Sequence, residues 1–178
     1  MGFNDFENLV LNRQACRDFN DLPLEKEKVE LIAKLSKNAP SACNSQPWKM
    51  YCVTSEEKVK AVSEALQKAG RNTFLSKAKA FIAVTEKATT LKPDVLKFFG
   101  LDHFVKYDIG ELIAYITLTA KSLGVDSIVI GWLDKEKLLK AIGAGEGEDC
   151  SLVVALGYSD SPLRKKDRRS DEEVIKYI

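Results

Sequence analysis

A stretch rich in proline, hydroxyl and amide side chains reads Ala39-Pro40-Ser41-Ala42-Cys43-Asn44-Ser45-Gln46-Pro47-Trp48. It follows a helix-forming run that ends near Asn38, and it precedes a β-rich run that begins near Met50. Proline restricts the backbone and removes a donor, while serine and asparagine hydrogen-bond locally or to a ligand. We therefore expect a rigid loop with many polar contacts, and loops of this kind often carry function.

Length and charge exclude several classes of protein. The 178 residues, 45% hydrophobic and 30% charged, predict one domain that spans residues 1–178 and has enough apolar surface for a core. The 27 basic and 26 acidic residues leave a formal net charge of +1. Such a balance provides no global field to attract nucleic acid or an anionic membrane, so neither is expected as a partner.

The sequence also argues against a membrane span and a metal site. No apolar run approaches the ~20 residues that a membrane-spanning helix needs. The four cysteines, at positions 16, 43, 52 and 150, form no CxxC pair, which favours free thiols and a cytoplasmic location. His103 is the single histidine and no cysteines have ligand spacing, so no metal is expected.

Hydrophobic periodicity and capping residues predict alternating helices and strands. The predicted helices cover residues 7–12, 25–37, 56–68, 104–123 and 135–142. The predicted strands cover residues 49–54, 80–85, 127–130 and 152–156, with a last strand at 174–178. Pro93 and Gly100 interrupt residues 87–102, which favours either a mobile cover or an irregular helix.

Five local patterns make more specific predictions. Gly124 is expected to end the 104–123 helix and Asp134 to cap the next one. Residues 109–120 are apolar or small almost all round, which predicts a helix that is buried in the core or covered by a partner subunit, and we favour the subunit interface. Arg13 and Arg17, four residues apart, can point the same way on a helical turn. The alternating glycines at 143, 145 and 147 suggest a hairpin-like connection.

The usual catalytic constellations are missing from the sequence. One histidine leaves no robust Ser-His-Asp or Cys-His set, and there is neither a dinucleotide-binding motif nor a Walker lysine. An enzyme of this sequence would therefore borrow its reactive group. An organic cofactor with a phosphate would use Arg13, Arg17 and the Lys166-Asp167-Arg168 cluster for the phosphate and other anionic edges. Ser41, Asn44 and Gln46 would serve its heterocycle and polyol, and the backbone at Ile130 and Gly131 would approach it closely.

The chain resembles the FMN-dependent nitroreductase family over nearly its whole length, in four blocks. Residues 13–19, Arg-Gln-Ala-Cys-Arg-Asp-Phe, resemble that family's RRSxRxF, and residues 39–48 resemble APSxxNxQPW. Residues 108–131 resemble DxGxxxxxLxLxAxxLGLxSxxxG. Residues 155–158 followed by Lys166-Asp167-Arg168 resemble the ending xxGYP…KxR.

The resemblance implies an α+β fold with a mainly antiparallel central sheet flanked by helices, working as an intertwined homodimer with FMN at the interface. It implies that the FMN phosphate is held by Arg13, Lys166 and Arg168, near Gln14 and Ala15, with Arg17 at the pyrimidine edge. The other subunit would contribute Pro40, Ser41, Ala42 and Asn44. The backbone of Ile130 and Gly131 would face the flavin N5.

The implied activity is electron transfer from NAD(P)H through the flavin to a nitroaromatic compound, a quinone or a similar acceptor, in two half-reactions. A cation at Arg17 would stabilise the negative charge of reduced FMN, and no catalytic side chain is required. Two alternatives stay open: another flavin chemistry on the same fold, such as dehalogenation, dehydrogenation or flavin breakdown, and a non-catalytic FMN-binding or redox-sensing protein.

The sequence departs from the family pattern at several positions. Gln14 and Ala15 stand where the family usually has arginine and serine, which predicts weaker retention of FMN. Ser159, not proline, follows Tyr158. The pair Arg71 and Asn72 is either an amide contact to the flavin ring or a surface helix end.

Overall fold

The computed structural model describes residues 2–87, 92–100 and 103–178. The helices in these ranges are α1 (Phe3–Asn12), α2 (Lys26–Ser36), α3 (Glu56–Leu66), α4 (Pro93–Phe99), α5 (Val105–Ser122), α6 (Lys135–Ile142) and α7 (Asp171–Val174). The strands are β1 (Trp48–Val53), β2 (Ala80–Glu86), β3 (Asp126–Ile130) and β4 (Asp149–Gly157). None of the described helices is both long enough and apolar enough to cross a membrane.

The four strands form one antiparallel sheet in the order β1-β2-β4-β3. Tyr51 of β1 lies opposite Ala83 of β2, and Ala83 lies opposite Val153 of β4. All residues of β2 from Ala80 to Thr85 are buried, which is typical of a central strand that is covered on both faces.

The sheet lies between two helical layers, each with its own apolar core. Ile82 and Val84 of β2 pack with Ile32 of α2 and Ile116 of α5 on one face. Phe81 and Ala83 point to the other face, which is covered by α3 and α6. Successive strand side chains point to opposite faces, so one apolar strand supplies both cores. The predicted α+β class with an antiparallel sheet is confirmed.

Most predicted elements are present within a few residues of their expected bounds. Asp134 caps α6 as predicted, because its Oδ1 accepts a hydrogen bond from the Lys137 N–H at 3.2 Å. Gly124 follows α5 with φ +72°, a conformation that a residue with a Cβ disfavours. The region around residues 87–102 contains the regular helix α4, while residues 88–91 and 101–102 lie outside the described residues.

The interpretation of residues 109–120 as a subunit interface is wrong for most of their apolar side chains. Ile109, Leu112, Ile116 and Ala120 are buried inside the chain itself, where α5 packs against α2 and the sheet. The exposed side of α5 carries Tyr107, Glu111, Ala114 and Tyr115. A helix can be apolar almost all round when its own chain covers more than one face.

The predicted last strand at residues 174–178 is also wrong. Residues 171–174 form α7 instead, because Ser170 and Glu173 make a capping box and three acidic residues occupy the first turn. Residues 175–178 belong to no regular element, and the side chains of Ile175, Tyr177 and Ile178 are exposed.

Two further local predictions fail. Arg13 and Arg17 do not share a helical turn, because α1 ends at Asn12 and Ala15 forms an isolated parallel bridge with Ser127 at the edge of β3. The glycine-rich loop of residues 143–147 is not a hairpin, since it connects α6 to β4. Gly143 ends α6 in the left-handed conformation, with φ +66°.

Candidate functional site

A basic cavity lies between the segment that follows α1 and the segment that precedes α7. It has a volume of about 320 Å³, and its lining residues are Arg13, Gln14, Ala15, Arg164, Lys165, Lys166, Asp167 and Arg168. Of the twelve residues predicted to bind the cofactor, the fold brings five together here: Arg13, Gln14, Ala15, Lys166 and Arg168. Two ends of the chain thus meet at one cavity.

The positive charges of this cavity repel one another. Burial, followed by the charges of Arg13 and Arg168, lowers the pKa of the Lys166 ammonium. Lys166 Nζ donates one hydrogen bond, to the Val10 carbonyl oxygen at 3.1 Å, and so has further donors available. Within the described ranges, no carboxylate forms a salt bridge with these three cations. The arrangement suits a bound anion.

Gln14 and Arg164 tie the basic segment to the N-terminal part of the chain. The Gln14 Nε2 donates to the Pro162 carbonyl at 3.2 Å, and its Oε1 accepts from the Arg164 N–H at 3.1 Å. The Arg164 guanidinium also donates to the Ala15 carbonyl oxygen. The amide of Gln14 is therefore engaged at both ends, and a direct role of Gln14 and Ala15 in cofactor binding stays a prediction.

Arg17 lies at a neighbouring cavity of about 220 Å³ that shares Gln14, Ala15 and Arg164 with the first. Lys121 and Asp126 also line it and form an ion pair at 3.2 Å, so it is less strongly positive than the first cavity. Burial raises the pKa of the Cys16 thiol in the same wall. This cysteine is therefore a poor candidate for a nucleophilic thiolate.

The loop of residues 40–47 lines neither of these cavities. Pro40 and Asn44 are exposed, and Ser41 and Ala42 are half-buried. Cys43, Asn44 and Gln46 all have positive φ, between 47° and 54°. The Ser41 Oγ accepts a hydrogen bond from the Gln46 N–H at 3.0 Å, which closes the loop on itself.

The end of β3 is a third separate part of the predicted site. Ile130 is buried and Gly131 is exposed. A Cβ at Gly131 would make only ordinary contacts, the nearest at 3.5 Å from the Leu152 Cδ2, so crowding within this chain does not require glycine there. A close approach of a cofactor to this backbone stays a prediction.

Asn72 and Arg71 lie beside this strand end. The Asn72 Nδ2 donates to the carbonyl oxygens of Leu66 and Trp132, at 3.2 and 3.4 Å. The Arg71 guanidinium stacks over the Trp132 ring, 5.1 Å from its centroid. The Asn72 amide nitrogen thus holds the backbone near Gly131. The sequence left open whether the pair Arg71 and Asn72 contacts the flavin ring or forms a surface helix end.

Sequence reasoning missed two residues at the candidate site. It named Lys166 and Arg168 but not Arg164, because the position of Arg164 next to Gln14 could not be seen without the fold. It cited Asp108 only as the first letter of a family block, whereas the structure places this buried carboxylate beneath the loop of residues 40–47. An acidic residue in the first turn of an otherwise apolar helix is the signal that could have identified it.

The profile of the Nitroreductase family matches residues 10–158 of this chain. A relative from Archaeoglobus fulgidus, provisionally named NADH dehydrogenase/NAD(P)H nitroreductase, is 31% identical over 163 residues, which cover 89% of this chain and 86% of the relative. The structure of a nitroreductase-like protein from Streptococcus mutans has a TM-score of 0.84 at 18% identity, and the match covers 99% of this chain and all of that one, 100%. The NADPH:FMN oxidoreductase from Vibrio harveyi, complexed with NAD+, has a TM-score of 0.80 at 20% identity, covering 98% of this chain and 77% of its own.

The two solved structures show that the fold is shared, and the match of the family profile covers most of the chain. The chain belongs to the nitroreductase family.

Proposed function

We propose that this chain is an FMN-dependent oxidoreductase that passes electrons from NAD(P)H to a nitroaromatic compound, a quinone or a similar acceptor. The observation that carries the proposal is the group of three cations, Arg13, Lys166 and Arg168, around one cavity without a carboxylate in a salt bridge with them in the described parts of the chain. The phosphate of FMN carries about −1.5 to −2 charges near neutral pH and would relieve their mutual repulsion.

The proposed roles of the remaining residues follow from their positions. Arg17, in the neighbouring cavity, would serve the pyrimidine edge, where a cation favours added negative charge. The exposed backbone at Gly131 would approach the ring system. Gln14 would act mainly through Arg164, by holding the basic segment against the first cavity.

Bound FMN would supply the redox chemistry, because it accepts an electron pair from one substrate and delivers it to another. The chain's own residues would bind, orient and polarise the cofactor. This division of labour is consistent with the pKa of the Cys16 thiol, which burial raises, and with an exposed His103 that packs against Phe99 and Phe104.

A homodimer is part of the proposal. The loop of residues 40–47, which resembles a flavin-binding block, lies outside both cavities that hold the basic residues. A second copy of the chain would bring its own loop to the cofactor of the first. Exposed apolar side chains at both ends of the chain, Phe3 and Phe6 in α1 and Tyr177 and Ile178 at the other end, support such an assembly.

The direct test is spectroscopic. The purified protein, or the protein after incubation with FMN and gel filtration, should be yellow, and NADH or NADPH should bleach it under anaerobic conditions. Reoxidation by a nitroaromatic compound or a quinone should restore the colour. A protein that stays colourless after addition of FMN would refute the proposal.

The same experiment separates the alternatives. Rapid bleaching by NAD(P)H without reoxidation by any nitroaromatic compound or quinone would favour another flavin chemistry. Tight binding of FMN with very slow bleaching would instead favour a storage or sensing protein.

A further inference from the structure

The loop of residues 40–47 has a backbone that it would not adopt without support. Cys43, Asn44 and Gln46 have φ values of 53°, 54° and 47°, in the left-handed region that side chains with a Cβ disfavour. Three such residues within four positions persist only where surrounding contacts determine the conformation. The contacts that hold this loop therefore also determine where its polar side chains point.

The external support comes from one carboxylate in α5. The Asp108 Oδ1 accepts a hydrogen bond from the Ala42 N–H at 3.0 Å, and its Oδ2 accepts one from the Ser45 Oγ at 3.4 Å. The two carboxylate oxygens thus hold two points of the loop, on either side of Cys43 and Asn44. The hydrogen bond from the Gln46 N–H to the Ser41 Oγ, at 3.0 Å, completes the closure from within.

Burial of the Asp108 carboxylate costs free energy of folding. It is only 4% exposed, and within the described ranges no lysine or arginine forms a salt bridge with it. Its carboxylate instead lies in the first turn of α5 and accepts hydrogen bonds from the two donors of the loop. Packing of the core by itself would favour an apolar side chain at position 108, since the buried residues Val105, Ile109 and Leu112 surround it along the helix.

We infer that Asp108 is a positioning residue for the loop of residues 40–47. By fixing the Ala42 N–H and the Ser45 hydroxyl, its carboxylate sets the directions in which the Ser41 hydroxyl and the Asn44 amide are presented. The identity of the ligand, FMN, rests on the proposed function. The geometry of the loop does not rest on the proposed function, so the role of Asp108 and the identity of the ligand can be tested separately.

The test compares substitutions that keep or remove the acceptor. Asp108→Leu fills a similar volume without an oxygen, and Asp108→Asn retains one oxygen for the Ala42 N–H. Thr117→Val is the matched control, because Thr117 is equally buried in α5, at 6% exposure, and its Oγ1 bonds only to the Ala114 carbonyl of the same helix among the described residues. The full-length chain is used throughout, and Asp108→Ala replaces Asp108→Leu if the latter does not fold.

Two quantities are measured for each variant: amide hydrogen exchange at Ala42 and Gln46 in the absence of cofactor, and the Kd for FMN from quenching of flavin fluorescence. In Asp108→Leu we expect both the exchange rate of Ala42 and the Kd to rise about tenfold, the equivalent of one hydrogen bond to a charged group. Asp108→Asn should stay within about threefold of the wild type, since a neutral acceptor retains part of that bond. Thr117→Val should lower Tm and change neither quantity.

Two outcomes would overturn the inference. One is Asp108→Leu with unchanged exchange at Ala42 and an unchanged Kd, which would give the carboxylate a purely structural role. The other is Asp108→Asn that behaves like Asp108→Leu in both measurements, because the acceptor geometry would then be irrelevant. A wild type that does not bind FMN would refute the proposed function, and the exchange of Ala42 alone would then decide the inference.

Discussion

At the scale of single residues, the candidate site depends on charge that the fold concentrates and does not neutralise. Lys121 and Asp126 pair at 3.2 Å in the neighbouring cavity, whereas Arg13, Lys166 and Arg168 form no salt bridge within the described ranges. Burial, followed by the charges of Arg13 and Arg168, lowers the pKa of the Lys166 ammonium. A bound phosphate would offset the repulsion among the three cations, so the cluster suits an anion.

Replacement of Arg13 by alanine tests this reading. We expect Arg13→Ala to weaken FMN binding at least about tenfold, since a hydrogen bond to a charged group contributes roughly 1.5–3 kcal/mol. Titration of the apoprotein with FMN, followed by fluorescence, measures the change. Arg169→Ala is the control, because Arg169 belongs to the same basic run but does not line the cavity. Equal affinities of the two variants would contradict the phosphate assignment.

At the scale of elements, the end of β4 is shaped by one close contact. Gly157 lies against Phe19, and a Cβ built at position 157 would be 2.7 Å from the Phe19 Cδ1. Phe19 is almost fully buried, and the rest of its ring packs in the core beside α3 and α6. The ring therefore cannot move aside without disturbing that core.

We predict that Gly157→Ala lowers the free energy of unfolding by about 1–3 kcal/mol, the usual cost of overpacking a core. Urea denaturation followed by circular dichroism measures this cost. Phe19→Leu, which removes part of the ring, should destabilise by itself but make the alanine less harmful. The double variant should thus be more stable than the sum of the single effects predicts. Additive effects would show that Phe19 is not the reason for glycine at position 157.

At the scale of the whole molecule, apolar surface is left uncovered at the end of the described chain. Tyr177 is 92% exposed and its neighbours Ile175 and Ile178 are also exposed, in contrast to Ile116 of α5 at 0%. Clustered apolar side chains on a surface commonly mark a site of association. We therefore place the proposed dimer contact partly at residues 175–178 and not on the apolar face of α5.

Removal of residues 175–178 should shift the protein from dimer to monomer without loss of helical circular dichroism. Sedimentation velocity over a range of concentrations measures the shift. Ile116→Lys should instead reduce the helical circular dichroism, because a charge in the chain's own core destabilises the fold itself. A full-length chain that sediments as a monomer would contradict the proposed dimer, and an unchanged dimer after truncation would contradict the placement of its contact.

Much of the fold could be read from the sequence because periodicity reports burial. The apolar run of β2, the amphipathic α2 and the cap at Asp134 all have local causes, and each is found close to its predicted position. One of the failed predictions, the subunit interface at residues 109–120, concerns what covers an apolar surface. The pattern of α5 correctly indicates a nearly all-round apolar helix, but only the packing of α2 and the sheet shows that the chain covers it by itself.

The candidate site, like the fold, could be predicted from the sequence only in part. By itself the sequence indicated the antiparallel α+β architecture and the family, through its resemblance to nitroreductase motifs, and its residue types indicated the basic and polar side chains that a phosphate-bearing cofactor would need. Only the tertiary structure decided that Gln14 holds Arg164, 150 positions away, and that Asp108 supports the loop of residues 40–47. Hydrogen bonds between distant segments leave no periodic signal along the chain, so the residues that position this site became visible only when the fold brought them together.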